Sequence, residues 1–347
     1  MAKILIIRFS AIGDVAMTIP VVYSLATQYP QHQITVLSRN NMAALFKKLP
    51  FNVSFYGVDL KNEHKGFAGL RKLYQSLKAE GFDYIADFHD VLRTKYLRAR
   101  FWMGGKKVAH IDKGRNGKKA LTRPNNKIKE QQLTSFQRYA NVLEQLGLPV
   151  KLKFCSIYGE GKGDIQPLLS ITGEKKGFRW IGIAPFATHP GKIYAPEKME
   201  EVVSLLSSNK QNRIFLFGGG AKEIDILSAW EKKYPSTLCI AGKLKWDTEL
   251  ALMSHLDVMV SMDSGNMHLA SLVHTPVVSV WGATHPFAGF MGWGQSEGNA
   301  VQIDLPCRPC SVFGNKPCYR KDYACLNQIT PNTIVERIES IINPRKE

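Results

Sequence analysis

The stretch VSMDSGNMHLASLVHTPVVSVWGAT (residues 260–284) decides the fold. A short apolar run leads into Asp263-Ser264-Gly265, and His268 stands five residues after the aspartate. A helical segment, NMHLASLVH (266–274), follows, then a β-branched run, PVVSVWG (276–282). Strand, tight turn, helix and strand in so few residues describe a β/α unit of a parallel sheet. The turn opens a helix, whose first N–H groups are unpaired and whose dipole is positive there. That is a place for an anion such as a diphosphate.

The same alternation extends in both directions. Toward the N-terminus lie WIGIAPF (180–186), RIFLFGG (213–219), TLCIAG (237–242) and DVMVSMD (257–263) as strands. Helical patterns at 196–209, 222–235 and 246–256 separate them. Further back, KILIIRF (3–9), QITVLSR (33–39), VSFYGVD (53–59) and FDYIADFHD (82–90) read as strands. Helices are expected at 15–30, 42–50, 67–81 and in the basic segment VLRTKYLRARFWMG (91–104). Residues 131–147 read as one long helix closing this first series, and 330–342 as a C-terminal helix with a Thr or Asn cap. A Gly- and Lys-rich stretch at 158–177 reads as the linker. The expected fold class is therefore α/β, with two Rossmann-like domains whose parallel sheets face a cleft. The expected domains are residues 1–165, 166–330 and a closing helical segment, 331–347.

The chain has 347 residues, a net charge of +17 and no apolar run approaching the roughly 20 residues of a membrane span. The N-terminus reads as a first strand rather than a cleaved leader, which suggests a cytoplasmic protein. The charge is uneven. Residues 1–170 hold 27 Lys/Arg against 12 Asp/Glu, and residues 91–129 hold 13 basic side chains and one acid, Asp112. Such a bias suits an anionic partner: nucleic acid, a membrane surface or a phosphorylated substrate. It is equally the composition of a solvated face that only aids solubility.

Three loops at strand ends carry residues with chemistry. In FSAIGDVAMTIP (9–20), Gly13 permits a tight turn and Asp14 opens a helix, so Asp14 is either an N-terminal cap or a general base. No GxGxxG and no Walker lysine accompanies it, which sets aside dinucleotide and P-loop readings. In APFATHPGKIYAPEKM (184–199), Thr188 and Lys192 could meet a phosphate, or Lys192 could be an ordinary loop lysine. In the opening stretch, Ser264 and Gly265 present the helix N-terminus. Asp263 could accept a hydrogen bond from a sugar hydroxyl, from His268 or from Lys192, and His268 could equally be a core histidine.

Taken together these residues resemble glycosyltransferase family 9, the ADP-heptose:lipopolysaccharide heptosyltransferases. SAIGDVAMTIP (10–20) is similar to the family's SxxGDxxxTxP, APFATHPGK to its donor loop, and DSGNMHLA (263–270) to its D-T/S-G-x-x-H-L-A signature. Phe186 and Ala187 depart from the family's donor loop, and the C-terminal cysteine-rich segment is longer than in well-known members. The resemblance implies a GT-B fold. It also implies inverting transfer of heptose from ADP-heptose to an anionic, Kdo-bearing lipid A–core acceptor at the inner face of the cytoplasmic membrane, without nucleic acid as a partner. By position it makes Asp14 the catalytic base and places Thr188, Lys192, Ser264 and Gly265 on the diphosphate. Asp263 and His268 fall on the donor sugar or its loop, and Glu223 near the adenosine ribose. The chain lacks a DxD motif, and no cofactor is expected for catalysis. Lys192 and the helix dipole would stabilise the leaving group. Alternatives remain: a transferase using a UDP- or GDP-sugar for another surface polysaccharide, a nucleotide-sugar epimerase, and a nucleic-acid-binding protein using Tyr96, Phe101 and Trp102.

Of six cysteines, Cys155 and Cys239 sit in apolar surroundings, while Cys307, Cys310, Cys318 and Cys325 form C-x2-C-x7-C-x6-C. The number and clustering suit a structural zinc site; two disulfides and packed free thiols are the competing readings.

Overall fold

The computed structural model describes residues 1–344. The chain folds as two compact units. Unit 1 comprises Met1–Lys113 and Leu133–Ile157; unit 2 comprises Gly114–Gln132 and the chain from Tyr158 onward. Each unit is an open α/β sheet with every strand pair parallel.

Unit 1 runs β1 (Lys3–Ile7), α1 (Ile12–Ala16), α2 (Ile19–Gln28), β2 (Gln33–Arg39), β3 (Val53–Val58), α3 (Gly66–Ala79), β4 (Tyr84–Asp87), α4 (Leu92–Met103) and β5 (Lys107–His110). The excursion α5 (Arg115–Thr122) packs with unit 2, and α6 (Ser135–Gln145) returns. The strand order is β3-β2-β1-β4-β5. Strand β1 is buried on both faces, as a central parallel strand must be, and its residues Ile4 to Ile7 are all inaccessible.

Unit 2 continues with α7 (Leu169–Thr172), β6 (Arg179–Ala184), α8 (Pro196–Ser207), β7 (Asn212–Leu216), α9 (Ala221–Lys233), β8 (Thr237–Cys239) and α10 (Trp246–His255). It closes with β9 (Val258–Met262), α11 (Gly265–Leu272), β10 (Val277–Val280), β11 (Ala300–Val301), α12 (Ala324–Asn327) and α13 (Pro331–Ile342). The order is β11-β10-β9-β6-β7-β8. One apolar core joins the inner faces of α8 and α13 to the sheet, through Met199, Val202, Val203, Leu206, Ile334 and Ile338.

Several elements differ from the sequence reading for local reasons. The helix expected over 15–30 is two helices, because Pro20 takes a first-turn position of α2, where a missing N–H costs nothing. The helix expected from 131 starts at Ser135, where the Thr134 hydroxyl accepts from Gln137 N at 3.2 Å and the Gln137 side-chain Oε1 accepts from Thr134 N at 2.8 Å, a complete capping box. The helix expected at 42–50 is a 3₁₀ segment, Asn40–Phe46. Strands β5 and β11 and helix α5 carry too little pattern to be read in advance. The excursion is tied down within unit 2: Gln132 N donates to Phe287 O at 2.8 Å and Lys127 Nζ to Pro309 O at 2.9 Å.

Both sheets reverse their strand order beside a central strand, at β1/β4 in unit 1 and at β6/β9 in unit 2. Loops leaving the carboxyl ends of neighbouring strands diverge at such a point and leave room for a ligand. The three sequence-selected loops follow β1, β6 and β9.

Candidate active site

In unit 1, strand β1 ends in Arg8, a guanidinium at the edge of the apolar core. Its Nη2 lies 2.7 Å from Asp14 Oδ2 and its Nη1 donates to Phe88 O at 2.8 Å. Burial by itself would lower the Arg8 pKa, but Tyr139 and the carboxylates of Asp14 and Asp87 hold it above the ordinary value. The Ala11 N–H also donates to Asp14 Oδ2, at 3.0 Å. Both anchors therefore fall on one oxygen. Among the described residues, Oδ1 has no protein partner, and the side chain is 32 % exposed. Asp14 does satisfy the start of α1, as a cap should, but this leaves one oxygen free to accept a proton.

The wall beside Asp14 comes from β4 and α6. Tyr139 donates its hydroxyl to the Asp14 carbonyl at 3.3 Å and stacks on Phe88 with centroids 4.6 Å apart. Burial pushes the Tyr139 phenol well above its usual range, so it remains a neutral donor. Asp87, at the end of β4, accepts from the backbone N–H groups of His89 (2.9 Å) and Asp90 (2.8 Å) and from Arg98 (3.0 Å). This fixes the turn that carries His89. The His89 Nδ1 accepts from Phe9 N at 3.3 Å. Burial, with Arg8 and Lys113 nearby, lowers the imidazole to about 3. His89 is thus neutral, with its proton on Nε2. Sequence reading singled out neither Arg8 nor His89, although a charged residue closing a buried apolar strand is a usable signal.

In unit 2, Lys192 and Asp263 meet. Lys192 lies in the short 3₁₀ turn Pro190–Lys192 after β6 and Asp263 just past β9; Nζ is 2.9 Å from Oδ2, with Asp263 almost wholly buried. Of the three partners considered for Asp263, the lysine is the one that stands against it here. Ser264 is the N-terminal boundary residue of α11, and its side chain does not cap the helix; its Oγ lies 3.2 Å from Ser261 Oγ. The first N–H groups of α11, beginning at Gly265, are therefore not taken up by a side-chain cap. His268 is buried on the following turn. Thr188 is exposed on the loop before Lys192. Glu223, in the first turn of α9 after β7, accepts from Gly219 N at 2.8 Å and so shapes the glycine-rich turn. Strands β9, β6 and β7 are neighbours, so these loops share one sheet edge.

The cysteine-rich segment braces this edge. Gly191 N donates to Gly314 O at 3.2 Å, and Ala283 N to Gly191 O at 2.8 Å. Gly314 has φ of +74°, and a Cβ there would lie 2.6 Å from Lys192 Cγ. Arg308, buried, donates to Gly282 O (2.6 Å) and Thr284 O (2.8 Å), while Cys310 N and Ser311 N donate to Ala283 O. Cys307, Cys310, Cys318 and Cys325 are free thiols, near enough for burial and one another to raise the Cys310 and Cys325 thiols, Cys325 to about 11. Yet among the described residues no three His, Cys, Asp or Glu side chains stand at metal-holding geometry. The zinc expected from the spacing has no assembled ligand set among the described residues: Cys307, Cys310 and Cys318 lie in the loop folded around Arg308 and the backbone at 282–284, and Cys325 is buried in α12. The two disulfides weighed beside it are not formed.

Known proteins resemble this chain along its length. The family model described as glycosyltransferase family 9 (heptosyltransferase) matches residues 70–318. The lipopolysaccharide core heptosyltransferase OpsX of Haemophilus influenzae is 26% identical over 305 residues, covering 81% of this chain and 79% of that protein. Lipooligosaccharide heptosyltransferase 2 of Campylobacter jejuni is 22% identical over 338 residues, 96% and 97% of the two chains. Among solved structures, a family 9 glycosyl transferase from Veillonella parvula superposes with a TM-score of 0.74 at 19% identity (98% and 97% covered). The E. coli heptosyltransferase WaaC with ADP gives 0.69 at 18% identity (98% and 99%). These superpositions carry the GT-B fold: two parallel-sheet α/β units. No helix among the described residues is long and apolar enough to cross a membrane.

Proposed function

The chain belongs to glycosyltransferase family 9 (heptosyltransferase), and on that premise we propose that it transfers heptose from ADP-heptose to the inner core of lipopolysaccharide, with inversion at the anomeric carbon. The relatives' names supply the sugar and the acceptor class: one is a lipopolysaccharide core heptosyltransferase and one a lipooligosaccharide heptosyltransferase. The observation that carries the mechanism is the asymmetry of Asp14, one oxygen held by Arg8 and the Ala11 N–H and the other open.

In this reading unit 1 supplies the base and unit 2 holds the donor. The acceptor hydroxyl oxygen attacks the anomeric carbon, and its proton passes to Asp14 Oδ1. The bond from the anomeric carbon to the β-phosphate oxygen breaks, and ADP leaves with the electron pair. Lys192 and the N-terminus of α11 at Ser264–Gly265 meet the growing negative charge, with Thr188 on the same diphosphate. Asp263 holds the lysine until the phosphate competes for it, His268 sits under that loop, and Glu223 serves the adenosine ribose. The cysteine segment braces the Lys192 loop through the Gly191–Gly314 hydrogen bond. The site of action is the cytoplasmic face of the inner membrane, where the acceptor is anchored.

Donor choice is tested by calorimetry with ADP-heptose, UDP-glucose and GDP-mannose, against wild type and Lys192→Ala. Selective binding of ADP-heptose that weakens in the variant, and stays weak in the Lys192→Met, Asp263→Asn double variant, supports the reading. Preference for a UDP- or GDP-sugar would replace the donor while keeping the fold and the base.

A further inference from the structure

Helices α3 and α4 leave an outer face that the transferase reading does not use. They run side by side: the Phe67 ring meets Tyr96 edge-on at 5.1 Å, and the Tyr74 hydroxyl donates to Arg100 O at 3.2 Å. Their inner stripes, Leu70, Leu73 and Leu77 on α3 and Thr94, Leu97 and Phe101 on α4, are buried. At helical spacing the opposite pole of α4 carries Leu92, Ala99 and Met103, with Trp102 beside them. Leu92 is 86 % exposed, Met103 62 %, Trp102 67 % and, on the flank of α3 toward α4, Phe67 70 %. Four large apolar side chains in water on adjacent helices are more than the scattered exposure normal for a soluble surface.

The two helices themselves carry charge of one sign, with Glu63 paired to Lys72 at their margin. Residues 65–79 and 91–103 contain eight Lys/Arg and no Asp or Glu. Arg98 turns inward to Asp87 (3.0 Å) and Asp90 (3.3 Å), and Lys95 comes within 3.7 Å of Asp90. Arg71, Lys78 and Arg93 point to solvent.

We propose that the outer face of α3 and α4 is a docking surface for an anionic phospholipid bilayer, with Phe67, Leu92, Trp102 and Met103 entering the interface and Arg71, Lys78 and Arg93 at the headgroups. Bilayer binding needs this combination: apolar groups that gain from leaving water, an amphipathic aromatic ring, and basic side chains drawn to a negative surface. A second copy of the chain fits less well, because a two-fold contact would set this all-basic face against itself. Nucleic acid would use the charge but has no use for Leu92 and Met103 in water. The inference deepens the proposed function by naming the surface that would bring the enzyme to a lipid-anchored acceptor. Its test involves neither donor nor acceptor, so its failure and that of the transferase reading are separable.

The experiment is co-sedimentation of the full chain with vesicles of phosphatidylcholine alone and of phosphatidylcholine with about one-third phosphatidylglycerol. Binding is expected to the anionic vesicles only and to fall with added salt. The Leu92→Gln, Trp102→Gln, Met103→Gln triple variant is expected to lose at least about ten-fold in partitioning. The Arg71→Gln, Lys78→Gln, Arg93→Gln variant is expected to lose roughly five-fold per residue, on the order of a hundred-fold in all. Unchanged melting temperature and an unchanged far-ultraviolet circular dichroism spectrum would show that both variants are folded. Equal binding to both vesicle types, no binding to either, or binding undiminished in the two variants would overturn the proposal. So would a wild-type dimer in sedimentation that the first variant dissociates, or an oligonucleotide bound at lower concentrations than anionic vesicles.

Discussion

Two donors fix one Asp14 oxygen and leave the other without a protein partner among the described residues, on a side chain that is a third exposed, which is the arrangement the proposed base requires. Asp14→Asn retains the shape and the Ala11 contact but loses the proton acceptor. The turnover rate should fall about 10²–10⁴-fold with donor affinity unchanged. Arg8→Met removes the donor to both Asp14 and the Phe88 carbonyl, so it should lower turnover and melting temperature together; a rate loss with no stability loss would mean that Arg8 touches substrate directly. At Lys192, truncation to Ala leaves Asp263 a buried carboxylate without its cation, a cost on the order of 3–5 kcal/mol where a pair is fully buried. Weaker donor binding alone is therefore ambiguous. The Lys192→Met, Asp263→Asn double variant removes both charges and should regain stability while donor binding stays weak; recovered binding would remove Lys192 from the diphosphate. At this scale the sequence was legible in singling out positions that the structure pairs with an opposite charge, Asp14 with Arg8 and Lys192 with Asp263; their parts in the reaction belong to the proposal. Arg8 and His89 escaped because the contacts that join β1 to the turn after β4, Arg8 to Phe88 O and Phe9 N to His89 Nδ1, link positions 80 residues apart in sequence.

At the level of elements, the long apolar strands β1, β6 and β9 were readable because burial on both faces leaves a continuous apolar run. Strand β5 (KVAH) and the two-residue β11 were not, since short edge strands have no such run. The cysteine segment was legible as a unit but not in its role: its spacing suggested a metal, whereas the fold uses its backbone and Arg308 to hold the loops after β6 and β10. Gly314→Val should weaken donor binding by displacing Lys192, because φ of +74° and the 2.6 Å approach to Lys192 Cγ both oppose a side chain. Calorimetry checks this, and full affinity would mean that the brace is not needed. Helix α10 carries a separate test. Burial raises the Glu249 carboxyl from 4.5 to about 7. The folded state then binds a proton that the unfolded state has already released. Stability should be unaffected below pH 4.5 and fall as pH rises from there to 7, by up to about 3 kcal/mol in all. Glu249→Gln should flatten that slope in denaturant titrations and be the more stable protein at pH 8; an unchanged slope would place the carboxyl in water.

For the whole molecule, two rounds of strand–helix alternation made the α/β architecture readable, while the excursion at 114–132 hid the fact that part of the basic run 91–129 packs with unit 2. That exchange depends on contacts such as Lys127 to Pro309, far apart in sequence. The net charge of +17 implies that affinity for an anionic acceptor weakens with salt, and acceptor KM should rise between 0.05 and 0.5 M NaCl while kcat changes little. The most direct test of the account is heptose transfer itself. Purified wild type and Asp14→Asn would be given ADP-heptose and a Kdo-bearing lipid A acceptor, with ADP release and acceptor mass followed together. The account predicts one added heptose per acceptor for wild type, matched by ADP release, and at least a hundred-fold slower transfer by Asp14→Asn with normal donor affinity. Transfer by Asp14→Asn at the wild-type rate would contradict it.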